Sequence, residues 1–119
     1  DLVLSDHRKR IIELVQAIAQ KGRAAGIYMV ICTQQPRVNV IPGGIKAVIP
    51  SRLSFRLPTG TDSKVILDET GAEDLMKGGD MFLKEPSHPG LRRFQCPMVT
   101  NEEIARFVGA AAQIWGTGG

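Results

Sequence analysis

Two polar residues, Thr33 and Gln34, end an apolar run, and Arg23 lies shortly before that run begins. The run, "IYMVICT" (27–33), is typical of a strand that is covered on both faces in a parallel sheet. Ligands of open α/β sheets bind outside the carboxyl ends of the strands, where a glutamine can hold a water or contact a phosphate. The alternative is that Thr33 and Gln34 only bond to backbone groups of the following loop.

The elements that would position these residues alternate between helix and strand. An apolar stripe predicts a helix over 6–25, with Ser5 or Asp6 as its N-cap. We expect Gly26 to end this helix by adopting a left-handed backbone conformation. The segments that follow are typical of helical turns at 44–50 and of strands at 52–57, 80–84 and 91–99. Two further helices are predicted. The first spans 61–69 with Thr61 or Asp62 as its N-cap, and the second spans 100–115 with Thr100 and Glu103 in a capping box. This order predicts an α/β fold, with a mostly parallel sheet flanked by helices and an antiparallel edge formed by the last two strands.

The composition is that of one domain, or part of one. Of 119 residues, 43% are hydrophobic and 23% charged, and the net charge of +3 permits a polyanionic partner without requiring one. No apolar run reaches the roughly 20 residues that span a bilayer. We expect Cys32 and Cys96 to be buried free thiols, and the aromatic residues to lie in the core (Phe55, Phe82, Phe94, Phe107 and Trp115). The chain does not begin with Met and ends in "GTGG", so we expect part of a longer protein with a flexible tail at 116–119.

Four blocks of the sequence carry a family resemblance. "QKGRAAGIYMVICTQQP", "GGIKAVIPSRLSFRL", "TDSKVILDETGAEDLMKGGDMFL" and "FQCPMVTNEEI" follow one another as the corresponding blocks do in the FtsK/SpoIIIE-type DNA translocases. The opening "DL" also resembles the end of that family's Walker B segment, with Asp1 as its last acidic residue. The resemblance covers about residues 1–115.

The resemblance implies the C-terminal portion of a RecA-like P-loop ATPase domain over residues 1–115. It implies a homo-hexameric, cytoplasmic motor that moves double-stranded DNA with ATP and Mg²⁺, with no membrane contact by this segment. The Walker A pattern G-x-x-x-x-G-K-[ST] does not occur in the sequence, so we expect the chain alone to bind no cofactor and to be inactive. Two alternatives stay open, namely a related protein-secretion ATPase and a non-enzymatic half-domain that binds partners.

The resemblance also implies roles for individual residues near the nucleotide. Arg23 resembles a finger that reaches the γ-phosphate bound on the neighbouring subunit, where a planar guanidinium stabilises charge on the transferring phosphoryl group. Its alternative role is to interact with the carbonyl end of the preceding helix. Gln34 resembles a sensor, with Thr33 beside it. Asp80 lies in a block near the nucleotide pocket and the subunit interface, or else is a plain turn carboxylate.

DNA contacts are expected from two segments, 35–46 and 59–64. Their candidate cations are Arg37, Lys46 and Lys64, which would meet phosphates independently of base sequence. The chain departs from the family pattern in these segments, because Gln35 replaces the usual arginine, Gly60 replaces a frequent basic residue, and Lys64 replaces an arginine. The two segments therefore carry fewer positive charges for DNA contact than the family pattern has.

Overall fold

The computed structural model describes residues 2–34, 36–37 and 41–116. Within those ranges the chain forms α1 (Leu2–Gly22), α2 (Gly43–Val48), β1 (Arg52–Phe55), α3 (Gly60–Leu67), a 3₁₀ turn (Ala72–Asp74), β2 (Asp80–Lys84), β3 (Arg92–Gln95) and α4 (Asn101–Trp115). The prediction of an α/β fold is confirmed. No helix in these ranges is both long and apolar enough to cross a membrane.

The end of α1 is formed by Gly26, as the sequence predicts. Gly26 has a φ of +71°, which places it in the left-handed region that favours glycine. The N–H of Ile27 donates to the carbonyl oxygen of Gly22 at 2.8 Å, and the N–H of Gly26 donates to that of Arg23 at 3.3 Å. This pair of bonds is the Schellman motif. The predicted N-cap is wrong, because α1 begins at Leu2 and therefore contains both Ser5 and Asp6.

The sheet is antiparallel throughout the described chain, in the order β1-β2-β3. Leu53 pairs with Leu83 between β1 and β2, and Met81 pairs with Phe94 between β2 and β3. The antiparallel edge is therefore confirmed, whereas no parallel pairing is present among the described residues. The strand predicted at 27–33 is not formed, because no described segment runs beside it to complete a ladder of hydrogen bonds.

A small apolar core lies between α3, the 3₁₀ turn and the sheet. Leu67, Ala72 and Leu75 are buried, and partly buried apolar residues pack around them (Leu57, Ile66, Phe82 and Leu91). On β1 the residue that faces inward is Ser54, while Leu53 and Phe55 lie on the uncovered face, each 47% exposed. The expectation that Phe55 lies in the core is therefore wrong.

The last helix, α4, is well capped and exposed. The Thr100 hydroxyl accepts from the Glu103 N–H at 3.2 Å, and a Glu103 carboxylate oxygen accepts from the Thr100 N–H at 2.8 Å, which confirms the predicted capping box. No residue of α4 is buried, and Phe107 and Trp115 are 76% and 84% exposed. Their placement in the core is wrong, since no described element covers this helix.

Two smaller predictions are corrected as well. The N-cap of α3 is Thr59, whose hydroxyl accepts from the Asp62 N–H, and not Thr61 or Asp62, because α3 begins at Gly60. Cys32 is exposed and Cys96 is half-buried, so neither thiol is buried as expected. The predicted tail at 116–119 lies outside the described residues beyond Gly116.

Candidate functional site

Arg23 lies in the turn that closes α1, and its side chain is exposed. It makes no ion pair and no side-chain hydrogen bond with any residue in the ranges that the structure describes. The turn is fixed by the backbone bonds that Gly26 and Ile27 make to it, so the position of the arginine is set by the Schellman motif. A fixed backbone with an unpaired guanidinium suits contact with an anion that is external to this chain.

An open cleft of about 580 Å³ borders Arg23. One wall is formed by the end of α1 and residues 26–29, and the other by the last residue of α2 and residues 49–51, which lead to β1. Apart from Arg23, most of the lining is apolar, and the neighbouring Tyr28 is 94% exposed. The cleft therefore offers one cation at the edge of an apolar surface.

The side chains of Thr33 and Gln34 are both exposed. Neither residue lines the cleft beside Arg23, so the structure does not bring the three side chains together there. Arg37, a candidate cation for DNA contact, is also exposed, and its carbonyl oxygen accepts from the Ile41 N–H at 2.9 Å. The predictions for Asp1 and Gln35 concern residues that lie outside the described ranges.

Lys46 is held by a carboxylate. Its ammonium group donates to Oδ1 of Asp68, and its side chain is only 21% exposed. Arg52 donates to Oδ2 of the same carboxylate at 2.6 Å, and Lys84 donates to that oxygen at 3.3 Å. Asp68 is thus the common acceptor of three cations from α2, β1 and β2, and we call these four residues the Asp68 cluster.

The Asp68 cluster also completes the end of α3. Arg52 donates to the carbonyl oxygen of Ile66 at 2.9 Å, and Lys84 donates to that of Leu67 at 2.6 Å. Cations at the carbonyl end of a helix satisfy its last acceptors and oppose its dipole. The hydrogen bond from Lys46, followed by those from Arg52 and Lys84, holds the pKa of Asp68 well below its usual range, although partial burial opposes this effect.

Lys64 differs from Lys46 in that its side chain is exposed on α3 and has no ion-pair partner within the described chain. The start of α3 is crowded, since a Cβ atom on Gly60 would stand 2.7 Å from Oε1 of Glu73. Glu73 is itself fixed, because its carboxylate accepts from the Gly71 N–H at 2.8 Å. Glycine at position 60 therefore has a packing reason in this chain.

Asp80 lies at the start of β2 and is 5% exposed. The Arg93 guanidinium donates two hydrogen bonds to the Asp80 carboxylate, from Nε to Oδ1 at 2.8 Å and from Nη2 to Oδ2 at 2.6 Å. The Met76 N–H also donates to Oδ2, at 2.8 Å. These bonds, with that from Arg93 the largest cause, lower the pKa of Asp80 to about 2. Both oxygens are occupied within the chain, which is the geometry of a turn carboxylate that fixes the β2–β3 hairpin.

The described residues contain no group of three His, Cys, Asp or Glu side chains that could hold a metal ion. Of the four candidate cations, Arg23, Arg37 and Lys64 are exposed, and Lys46 is held by the Asp68 cluster. The sequence analysis did not predict the Asp68 cluster. The only signal was the position of Asp68 after the last apolar residue of α3.

Among solved structures, the chain is similar to the pCW3 conjugation coupling protein TcpA, which was determined in a monomer form with ATPγS. The TM-score is 0.72 and the identity is 26%, and the match covers 86% of this chain and 29% of that protein. The class of proteins that shares this fold therefore includes a conjugation coupling protein whose structure was determined with ATPγS.

Similarity in sequence is closer still to DNA translocases named FtsK. The chain is 47% identical over 94 residues to FtsK of Helicobacter pylori J99, 45% identical over 103 residues to that of Streptococcus agalactiae serotype V, and 45% identical over 100 residues to that of Leptospira interrogans. These matches cover 79–85% of the chain but only 10–12% of the relatives, so the chain spans about a tenth of their length. No family model matches the chain. The resemblance to the FtsK/SpoIIIE-type translocases is confirmed over most of the chain.

Proposed function

We propose that this chain is part of an ATP-driven motor that translocates double-stranded DNA. The observation that carries the proposal is the identity of 45–47% to FtsK DNA translocases over about four fifths of the chain. The similarity to a conjugation coupling protein supports the same class, because that protein was studied with an ATP analogue. A protein-secretion motor and a partner-binding half-domain have no comparable support.

In the complete motor, residues 1–115 would form the C-terminal portion of a RecA-like domain that works in the cytoplasm as a homo-hexamer. The exposed segment 27–31 supports a sheet that is completed elsewhere in the motor, because Tyr28 and Val30 are 94% and 84% exposed and contiguous exposed apolar surface favours contact with a partner. Residues 27–33 would then join a parallel sheet built with the part of the motor that carries Walker A.

The candidate residues would face two neighbouring nucleotide sites. Arg23 would reach the γ-phosphate of ATP bound to the neighbouring subunit, and Gln34 with Thr33 would face the nucleotide of its own subunit. ATP and Mg²⁺ themselves would be held by residues outside this chain, since the sequence has no phosphate-cradling loop. When bound, ATP supplies the phosphoryl group whose transfer drives movement.

The DNA path would follow Arg37, Lys46 and Lys64. Lys64 and Arg37 suit direct contact with phosphates because both are exposed. Lys46 is held by Asp68 in this structure, so its contact with a phosphate would compete with that ion pair.

The test is the ATPase rate of the complete protein that contains this segment, measured with and without linear double-stranded DNA, together with displacement of a triplex-forming strand from that DNA. We expect DNA to stimulate hydrolysis and the strand to be displaced only with ATP. A rate that does not respond to DNA, or hydrolysis without displacement, would contradict the proposal. Unstimulated hydrolysis would instead favour a motor that moves protein.

A further inference from the structure

The Asp68 cluster joins two parts of the chain, one formed by α1 and α2 and the other by α3, β1 and the 3₁₀ turn. Helix α2, which carries Lys46, packs against α1, whereas α3 packs against β1 and the 3₁₀ turn. The ion pair between Lys46 and Asp68 spans 22 residues of sequence and connects these two parts. Because α1 leads directly into Arg23, the pair connects the nucleotide side of the chain with α3.

Helix α3 connects Asp68 to a candidate DNA segment. The helix has eight residues and is therefore about 12 Å long, with segment 59–64 at its start and Asp68 just after its end. Lys64 lies in the middle of the same helix. A displacement of the start of α3 by DNA would therefore be transmitted along a short rigid rod to Asp68.

Asp68 is also held in place by residues of the sheet. Arg52 and Lys84 attach its carboxylate to β1 and β2, and its φ of +62° is the single positive value for a non-glycine residue within the described ranges. A backbone conformation that most residues avoid persists where its surroundings enforce it. Here the three cations supply that enforcement, since all three bond to the side chain and two of them, Arg52 and Lys84, also bond to the last carbonyl oxygens of α3.

The three cations do not depend equally on Asp68. Arg52 keeps its bond to the Ile66 carbonyl oxygen without Asp68, and Lys84 keeps its bond to the Leu67 carbonyl oxygen. Lys46 has no other ion-pair partner in the described chain. Loss of the carboxylate charge would therefore release α2 from α3 while the end of α3 remained bonded to the sheet.

We propose that Asp68 is a positioning residue that couples the DNA-contacting start of α3 to helices α1 and α2, and so to Arg23 in the turn after α1, through its ion pair with Lys46. This inference rests on the proposed function and adds the connection between DNA contact and hydrolysis. The inference depends on the position of Lys46 beside Asp68, because no other described ion pair links α2 to α3.

The test uses Asp68→Asn in the complete protein, since asparagine tolerates the left-handed conformation and removes only the charge. The readouts are the ratio of the DNA-stimulated to the basal ATPase rate and the DNA concentration that gives half-maximal stimulation. We expect the ratio to fall by about fivefold or more, the lower range of coupling between sites. The half-saturating DNA concentration should stay equal or decrease, because a negative charge is lost and Lys46 is freed.

A purely structural role gives a different result. Damaged folding would lower the basal and stimulated rates together and leave their ratio unchanged, which would overturn the inference. A ratio that falls only because half-saturation moves to higher DNA concentration would also overturn it, because Asp68 would then serve DNA affinity. The matched control is Glu69→Gln, whose carboxylate makes only a 3.7 Å ion pair with Lys84, and it should keep the wild-type ratio.

A double-substitution cycle locates the coupling. Lys46→Met should lower the ratio as Asp68→Asn does, and the two substitutions together should lower it no further, because they remove the same ion pair. Additive losses would overturn the inference. If DNA does not stimulate hydrolysis by the wild-type protein, the proposed function has failed. That failure is distinguishable from failure of the coupling inference, because it is seen before any substitution is made.

Discussion

Arg93 binds both carboxylate oxygens of Asp80, and the two residues join neighbouring strands of the hairpin. The guanidinium approaches to 2.8 Å and 2.6 Å, and the two-bond arrangement fixes the orientation of both side chains. The residues pair diagonally, since Asp80 lies opposite Gln95 and Arg93 opposite Phe82. The hairpin start is therefore fixed by an ion pair in addition to its backbone ladder.

This ion pair should make stability depend on pH. Arg93 and the Met76 N–H lower the pKa of Asp80 from 3.8 to about 2, so the folded state favours the ionised carboxylate. Its stabilisation is complete above the unfolded pKa and is lost as the pH falls from about 4 through 2. We expect the free energy of unfolding, measured by urea denaturation between pH 7 and 2, to decrease less steeply over that window in Asp80→Asn.

The matched control for Asp80 is Asp74→Asn, because Asp74 is an exposed carboxylate without a described ion pair. This variant should retain the pH dependence of the wild type. Arg93→Lys provides a second comparison, since lysine keeps the charge but cannot form two parallel bonds. An Asp80→Asn protein whose stability follows the wild-type pH curve would contradict the assignment.

Ser63 should contribute strongly to stability although it is polar. It is fully buried, its hydroxyl donates to the Glu69 carbonyl oxygen at 2.6 Å, and it accepts from the Ala72 N–H at 3.1 Å. Ser63→Ala leaves two buried backbone groups without partners, which costs about 1–3 kcal/mol. Denaturant unfolding should show this loss, whereas the exposed Ser87→Ala should change stability by less than about 0.5 kcal/mol. Equal stabilities of the two variants would refute this role.

Local signals in the sequence predicted the local structure well. Thr100 and Glu103 have the spacing of a capping box, and Gly26 follows the last turn of α1, so both helix ends could be read from a few neighbouring residues. The hairpin of β2 and β3 was equally accessible, because its strands are separated by the turn-forming stretch 85–90. In each case the groups that bond to one another are close in sequence.

Long-range relationships could not be read in the same way. The strand predicted at 27–33 rested on burial by neighbours that the described chain does not contain, and the inward face of β1 depended on which side α3 covers. Asp68 was overlooked because its cations lie 16 to 22 residues away, where spacing carries no information. The roles of Arg23, Thr33, Gln34 and Asp80 at a nucleotide remain predictions from resemblance.

The two candidate DNA lysines should differ in their contribution to binding. Lys64 is exposed and unpaired within the described chain, whereas Lys46 is engaged by Asp68. Lys64→Ala in the complete protein should weaken binding to double-stranded DNA of any sequence and reduce the salt slope by about 1. Lys46→Ala should have a smaller effect, and the double substitution should lower affinity and salt slope most.

Fluorescence anisotropy of labelled duplex DNA across a salt series measures both quantities. Lys77→Ala is a suitable control, because Lys77 is exposed near β2 and outside both candidate segments. It should match the wild type in affinity and slope. Unchanged binding in the double variant would move the DNA path away from these segments.

Arg23 should be required for hydrolysis and not for nucleotide binding. Its guanidinium is exposed at the end of α1 and has no ion-pair partner in the described ranges, which suits a contact with the phosphate of a neighbouring subunit. In the complete protein we expect Arg23→Ala to lower the ATPase rate by about 10³-fold or more, because the loss of an arginine finger has effects of this size. Binding of a fluorescent ATP analogue should remain within about twofold of the wild type, since the finger acts mainly in the transition state.

Lys21→Ala is the matched control for Arg23, because Lys21 is an exposed cation in the last turn of the same helix. If the arginine only interacted with the carbonyl end of α1, the two substitutions would have similar small effects on stability and little effect on hydrolysis. Arg23→Lys separates the possibilities further, because it keeps a charge at the helix end but lacks the planar guanidinium. Full activity in Arg23→Lys would assign the residue to the helix end, whereas loss of hydrolysis in both Arg23 variants with normal activity in Lys21→Ala would assign it to the transferring phosphate.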